Sequence, residues 1–174
     1  MVKIYTLQTS RLNSKNPQKK YKIAIIGAGA SGLFASTLLG KNHLVTLYEK
    51  NNKVGKKLLA TGNGRCNITN QNISLCNFYS HSNIEQITPL LENFHYKKCK
   101  EFFQNLGVEF VHNDKRRVYP MSQSASSVVD ALEYEALRNN VTINLNSKIE
   151  KIAFDGLAYT IEDQRYDKLI IATG

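Results

Sequence analysis

The apolar residues of the chain come in blocks whose period changes along the sequence, and the order of those blocks predicts the fold. Lys22-Ile23-Ala24-Ile25-Ile26 is a short, nearly continuous apolar run, the pattern of a strand buried on both faces. Gly27-Ala28-Gly29-Ala30-Ser31-Gly32 follows directly, and residues 33–39 are good helix formers ending at Gly40, which reads as a C′ stop. Residues 43–48 form a second strand that ends at Glu49. Residues 50–77 are rich in Gly, Asn and Lys and lack a long period. They read as a loop with at most a short helix over residues 56–60, and a loop of this length in a compact domain is usually functional.

From about Ile84 to Leu106 the spacing turns helical. Ile87, Leu91 and Phe94, then Phe102, Phe103 and Leu106, predict two helices, with Pro89 at N1 after Thr88 and Gly107 closing the second. Beyond the turn-like Asn113-Asp114-Lys115 and the segment Val118-Tyr119-Pro120, Ser127-x-x-Asp130 reads as a capping box. It opens a helix through Val128, Leu132, Ala136 and Leu137 that stops at Asn139-Asn140. The last third alternates with period two over residues 141–145, 148–154, 157–162 and 166–172, separated by Asp155-Gly156 and Asp163-Gln164. That pattern predicts a small antiparallel β-meander feeding a final apolar strand. The whole is an α/β fold with a Rossmann-like central parallel sheet, one domain over residues 21–174 behind a leader of residues 1–20.

Composition narrows the class. A chain of 174 residues with 42% hydrophobic and 21% charged residues and three prolines is globular, which excludes a disordered chain, a collagen or a disulfide scaffold. No apolar run approaches the roughly 20 residues of a membrane span. The net charge of +9 invites a nucleic-acid reading, but Lys3, Arg11, Lys15, Lys19, Lys20 and Lys22 place most of it in residues 1–22, where no acid stands. The leader lacks the apolar segment of a secretory signal and reads as a disordered, solvated arm with a weak likeness to a transit peptide. Much of the remaining charge sits at Lys41, Lys50, Lys53, Lys56 and Lys57, against Glu49 alone. A local patch of that kind suits a bound phosphate better than a duplex. Cys66, Cys76 and Cys99 are odd in number and form no C-x-x-C pair, which points to reduced thiols in a cytoplasm and away from structural zinc. His95-x-x-x-Cys99 offers only two ligands on one helical face, too few for a metal site.

The chemistry is concentrated in three segments. A bare G-x-G-x-x-G is weak, but here a strand precedes it, a helix follows, and an acid ends the next strand. Gly27 serves the tight turn, Gly29 leaves room for a pyrophosphate, and Gly32 lets the helix pack on the sheet. The N–H groups of Ala30, Ser31 and Gly32 face the phosphate oxygens at the positive end of the helix dipole. Glu49 stands where its carboxylate accepts the hydroxyls of an adenosine ribose and repels a 2′-phosphate. The second segment is residues 55–70, where Gly62, Asn63 and Gly64, with Asn67 and Asn70, give a backbone able to turn several N–H groups toward one anion and Lys57 and Arg65 add charge; Cys66 within it and Lys50 before it are further cofactor-binding candidates. Cys66 reads as a small packed residue in preference to a redox thiol. The third is Ala172-Thr173-Gly174, where small residues end an apolar strand and allow close approach of a cofactor.

With these residues the chain resembles the N-terminal part of a bacterial flavoprotein family of the two-dinucleotide-binding-domain type, labelled NAD(P)/FAD-dependent oxidoreductase or aminoacetone oxidase-like, which includes a reductase of dehydro-bile acids. The likeness lies in residues 25–32 with Glu49, residues 55–70, Phe102-Phe103-x-x-Leu106-Gly107-Val108, Arg117-Val118-Tyr119-Pro120, residues 125–132 and Ala172-Thr173-Gly174. It implies an FAD-binding fold, FAD as cofactor, NAD(P)H as a candidate electron donor, a small-molecule substrate, and a backbone contact from Ile149 at the adenine edge. Family members are about twice as long, so the resemblance also implies a missing C-terminal half that covers the flavin ring and the substrate, and weak flavin binding by residues 1–174 alone. No catalytic side chain is named by this half. An NAD-binding dehydrogenase domain is the alternative, since Glu49 would serve NAD equally, although the Gly-Asn-Gly-Arg loop and the meander argue against it. Nucleic-acid binding through the leader and an inactive truncated product are the readings from other classes.

Overall fold

The computed structural model of the chain describes residues 19–78 and 87–174, so residues 1–18 of the leader and the expected helix start near Ile84 lie outside the described residues. Two compact units divide the chain, one from residues up to Val54 together with 136–174, the other Gly55–Glu135. β1 (Lys22–Ile26), α1 (Ala30–Leu39) and β2 (Leu44–Tyr48) open the first unit. The second holds α2 (Lys56–Ala60), β3 (Thr69–Asn70), α3 (Thr88–Asn93), α4 (Tyr96–Asn105), β4 (Phe110–His112), β5 (Arg117–Pro120) and most of α5 (Ala125–Arg138). β6 (Thr142–Asn144), β7 (Ala153–Phe154), β8 (Tyr159–Ile161), β9 (Gln164–Tyr166) and β10 (Lys168–Ile171) return to the first.

In the first unit a parallel sheet runs in the order β10-β1-β2-β6, with Ile25 opposite both Leu47 and Ile170, and Leu47 opposite Ile143. Ala24 and Ile25 are fully buried, as the apolar run of β1 requires of a strand covered on both faces. The period-two region divides differently from its sequence reading. Residues 142–144 leave the expected meander and pair with β2, because a parallel edge strand and a meander strand carry the same alternation. Only Ala153 and Phe154 of the expected strand 148–154 pair, and residues 166–172 break at Asp167. Asp167 accepts the Lys22 N–H on its carboxylate (2.7 Å) while its own N–H donates to the Lys22 carbonyl (2.8 Å), which ends the meander and starts β10 alongside β1. The meander β7-β8-β9 remains antiparallel. Its second turn uses Glu162 and Asp163, both at positive φ (48° and 60°), so Gln164 belongs to β9 and not to the turn. A core of Ala24, Tyr48, Ile161 and Tyr166 joins meander to sheet, and the two buried tyrosine hydroxyls satisfy each other at 2.7 Å. Gly40 does end α1, but in a right-handed conformation (φ −57°) and not as a left-handed cap. A Cβ there would stand 2.7 Å from Val141 Cγ2, so close packing explains the glycine.

In the second unit β3-β5-β4 form an antiparallel sheet whose hairpin was not legible as period two, its strands being so short. The Asn113 side chain accepts the N–H groups of Lys115 and Arg117 (both 3.1 Å) and shapes the hairpin turn. Gly107 follows α4 at φ +81°, the expected left-handed stop. Thr88 is the first residue of α3 and not its cap, which places Pro89 one position later than expected. The His95 ring caps α4 by accepting the Lys97 N–H (3.2 Å), a helix-cap role. The capping box is overturned: α5 starts at Ala125, so Ser127 lies inside the first turn and donates its hydroxyl to the Ser124 carbonyl (2.8 Å). The first N–H of α5, that of Ala125, donates to the Gly64 carbonyl (2.7 Å), so the loop supplies a partner for one of the donors that the helix start leaves open. Among the described residues no helix is long and apolar enough to cross a membrane.

Candidate functional site

The turn after β1 is built by three glycines for three different reasons. Gly27 sits at φ +102°, donates its N–H to the Tyr48 carbonyl (2.8 Å), and has Ala172 O where a Cβ would come to 2.5 Å. Gly32 lies in the first turn of α1 with the Gly27 carbonyl directly where a Cβ would stand, so the helix rests on the turn backbone. Gly29 is extended and precedes α1, and a Cβ there would find nothing within 4 Å. Leu33 is the first residue of α1 whose N–H reaches back into the helix, to Gly29 O (3.0 Å). The N–H groups of Ala30, Ser31 and Gly32 precede that bond, and the first turn holds no acid. Positive dipole, unpaired helical donors and open space coincide at Gly29, as an anion site requires.

Glu49 closes the other side. It is only 8% exposed, and its carboxylate accepts the Ala28 N–H on Oε2 (2.9 Å) and the Asn51 N–H on Oε1 (2.9 Å), with the Asn51 side-chain amide also on Oε1. Burial alone would raise its pKa, but the Asn51 and Ala28 hydrogen bonds, with Lys50 nearby, outweigh it and hold the group below the ordinary glutamate value. A folded-state pKa below the unfolded one gives stability that is fully present above the unfolded value and lost as pH falls through the folded value. Urea unfolding between neutral pH and the acid end of the carboxylate range is therefore expected to show a smaller pH dependence in Glu49→Gln than in the parent chain. An identical dependence would show that Glu49 does not carry it.

Ala172 donates its N–H to Ile26 O (2.8 Å), which continues the pairing of β10 with β1 up to the turn, and Gly174 ends the chain at φ +76°. The first unit thus brings Gly27, Gly29, Ala30, Ser31, Gly32, Glu49 and Ala172 to the carboxyl ends of β1, β2 and β10, the edge where open parallel sheets bind ligands. Thr173 and Gly174 follow on the same strand end, and Lys50 is exposed next to Glu49. Ile149 packs half-buried against the core of Ala24, Tyr48, Ile161 and Tyr166. Sequence reasoning missed Asn51, although an Asn two residues after an acid is a common local hydrogen-bond donor.

Lys57, Gly62, Asn63, Gly64, Arg65, Cys66 and Asn67 belong to the second unit. Gly62, Asn63 and Gly64 adopt positive φ (58°, 56° and 79°), the conformation the Gly and Asn content predicts, and Cys66 adopts it too (60°) without that signal in its residue type. Arg65 lays its guanidinium over the Tyr119 ring (4.7 Å) and donates Nε to Gly62 O (3.3 Å), so it also braces the loop. Cys66 is buried, and burial pushes its thiol above the ordinary value despite a hydrogen bond with Thr61. That is the environment of an inert packed thiol. Lys57 and Asn67 are exposed.

A parallel sheet with a glycine turn, a helix on that turn and a buried acid at the end of the next strand defines a Rossmann-type α/β domain. Residues 21–174 match the HI0933-like protein Rossmann domain, and the chain belongs to that family. It is 36% identical over 160 residues to the 3-dehydro-bile acid delta(4,6)-reductase of Clostridium scindens, covering 88% of this chain and 39% of that protein. It is 30% identical over 161 residues to the ribosomal RNA dihydrouridine synthase of Escherichia coli, covering 90% and 40%. The chain thus spans well under half the length of these curated relatives. Among solved structures it shares its fold with THI4 of Thermovibrio ammonificans (TM-score 0.55, 16% identity, 89% of this chain and 58% of that one). CtdE in complex with FAD is similar at TM-score 0.50 and 15% identity, over 90% and 39% of the two chains.

Proposed function

We propose that residues 21–174 form the N-terminal, ADP-binding part of an FAD-dependent oxidoreductase. The observation that carries this reading is the pairing of open space at Gly29 with the buried Glu49 carboxylate, tied to the same turn through Ala28. In it the N–H groups of Ala30, Ser31 and Gly32 hold the pyrophosphate, Glu49 takes the adenosine ribose, and Ile149 borders the adenine. Lys50, Ala172, Thr173 and Gly174 complete the cofactor-binding set of the first unit, and in the second unit Lys57, Gly62, Asn63, Gly64, Arg65, Cys66 and Asn67 form a cofactor-binding loop of their own. FAD is favoured over NAD by the family and by a fold neighbour solved with FAD. Bound flavin would supply the redox chemistry, while these residues bind and orient it. The naming of one relative as a reductase supports an oxidoreductase. The flavin ring and substrate would be covered by a further part of a full-length protein. A cytoplasmic setting agrees with three free cysteines, two of them buried.

Titration of FAD and NAD into the chain tests the proposal, with Glu49→Ala as the control. Removing the acceptor deletes charge-assisted hydrogen bonds, so FAD affinity is expected to fall about ten- to a hundredfold. Unchanged affinity would remove Glu49 from the site, and tighter binding of NAD than of FAD would favour the dehydrogenase alternative.

A further inference from the structure

An ionised carboxylate offers about four acceptor positions, and three of those on Glu49 are occupied. Ala28 N–H takes one on Oε2, while the main-chain N–H and the side-chain amide of Asn51 take both on Oε1. Asn51 is itself held. Its carbonyl accepts the Asn146 N–H (2.9 Å), and on either side of it Glu49 N–H donates to Asn144 O (2.8 Å) and Ser147 N–H to Glu49 O (2.8 Å). The strand end at residues 49–51 is thereby laced to residues 144–147, and the amide of Asn51 starts from an anchored backbone.

We propose that Asn51 is a positioning residue for ribose recognition: it fixes the Glu49 carboxylate in one orientation and fills Oε1, so that Oε2 alone is left to accept one hydroxyl of the diol. The proposal rests on reading Glu49 as the ribose acceptor, and it changes the expectation from two accepted hydroxyls to one. Without the Asn51 side chain the carboxylate keeps one main-chain donor on each oxygen but loses the bond that closes Oε1. The hydroxyl then meets a less ordered acceptor, and the cost of ordering it is borne at binding.

The test is calorimetric titration of the full chain with ADP, 2′-deoxy-ADP and 3′-deoxy-ADP, with thermal melting to establish that each variant is folded. In the parent chain one of the two deoxy analogues is expected to bind about tenfold more weakly than ADP and the other about as well as ADP, since one neutral-to-charged hydrogen bond is at stake. Asn51→Ala should reduce that discrimination to about threefold or less, through weaker ADP binding, while leaving affinity for the already deficient analogue unchanged. Asn51→Asp keeps the main-chain N–H and the size of the side chain but sets a second negative charge against Glu49, and should lose more. A purely structural role would weaken all three nucleotides equally, which overturns the proposal, as does full discrimination surviving in Asn51→Ala. Equal sensitivity of the parent to both hydroxyls overturns the single-hydroxyl geometry. A parent chain that binds all three nucleotides alike, or none of them, overturns the Glu49 reading itself and this inference with it, a result separate from any Asn51 effect.

Discussion

Gly29→Val is expected to bring FAD binding down by at least about a hundredfold, a loss of ~2.7 kcal/mol, while the chain stays folded. A Cβ at Gly29 finds no protein atom within 4 Å, so the added side chain starts into open space, the space that the proposed site gives to a pyrophosphate. Gly29 is already extended at φ −77°, which valine adopts without strain. The cost to the fold is the exchange of a tolerated cap for a poor one, about 1 kcal/mol or less. Flavin fluorescence quenching and a thermal melt, taken on the same preparation, separate the two effects. Retained FAD affinity would place the pyrophosphate elsewhere, and a collapsed melt would show that Gly29 serves the fold.

Gly32→Ala is expected to do the opposite, damaging the fold before any ligand is added. Its Cβ would fall on the Gly27 carbonyl, which is backbone and has little freedom to move. Gly27 is held at φ +102°, bonded to Tyr48 O, and already crowded by Ala172 on its other side. Relief requires α1 to lift from the turn, which would uncover the buried Leu33, Ser36 and Thr37. Overpacking of this kind costs about 3 kcal/mol, at the upper end of its usual range. Urea unfolding of the parent and the variant measures it. An unchanged midpoint would show that helix and turn do not pack as closely as Gly32 implies. Two glycines three residues apart in one motif thus have opposite expected phenotypes, one in binding and one in stability.

Elements whose cause is local can be read from the residues alone. The apolar run of β1, the glycines that follow it, Glu49 at the end of β2, the short helix over Lys56–Ala60 and the left-handed Gly107 were all legible, because each depends on residues a few positions apart. The positive φ values through Gly62, Asn63 and Gly64 were legible for the same reason. The pairing of residues 142–144 is set by the assembled sheet, because alternation states that a strand has two faces and not which neighbour it meets. The assembled sheet also makes residues 166–172 two strands, since Asp167 is a break only when Lys22 lies beside it, 145 positions away in sequence. Gly40 ends α1 as its residue type suggests, but packing against Val141, which the fold brings in, is what requires the glycine, and Ser127 lies inside α5, whose first N–H bonds the Gly64 carbonyl. Asn51 belongs to both kinds. Its bond to Glu49 is local, but its role emerges only once β2 lies beside residues 144–147, because a carboxylate needs a fixed orientation only where the fold has built a site around it.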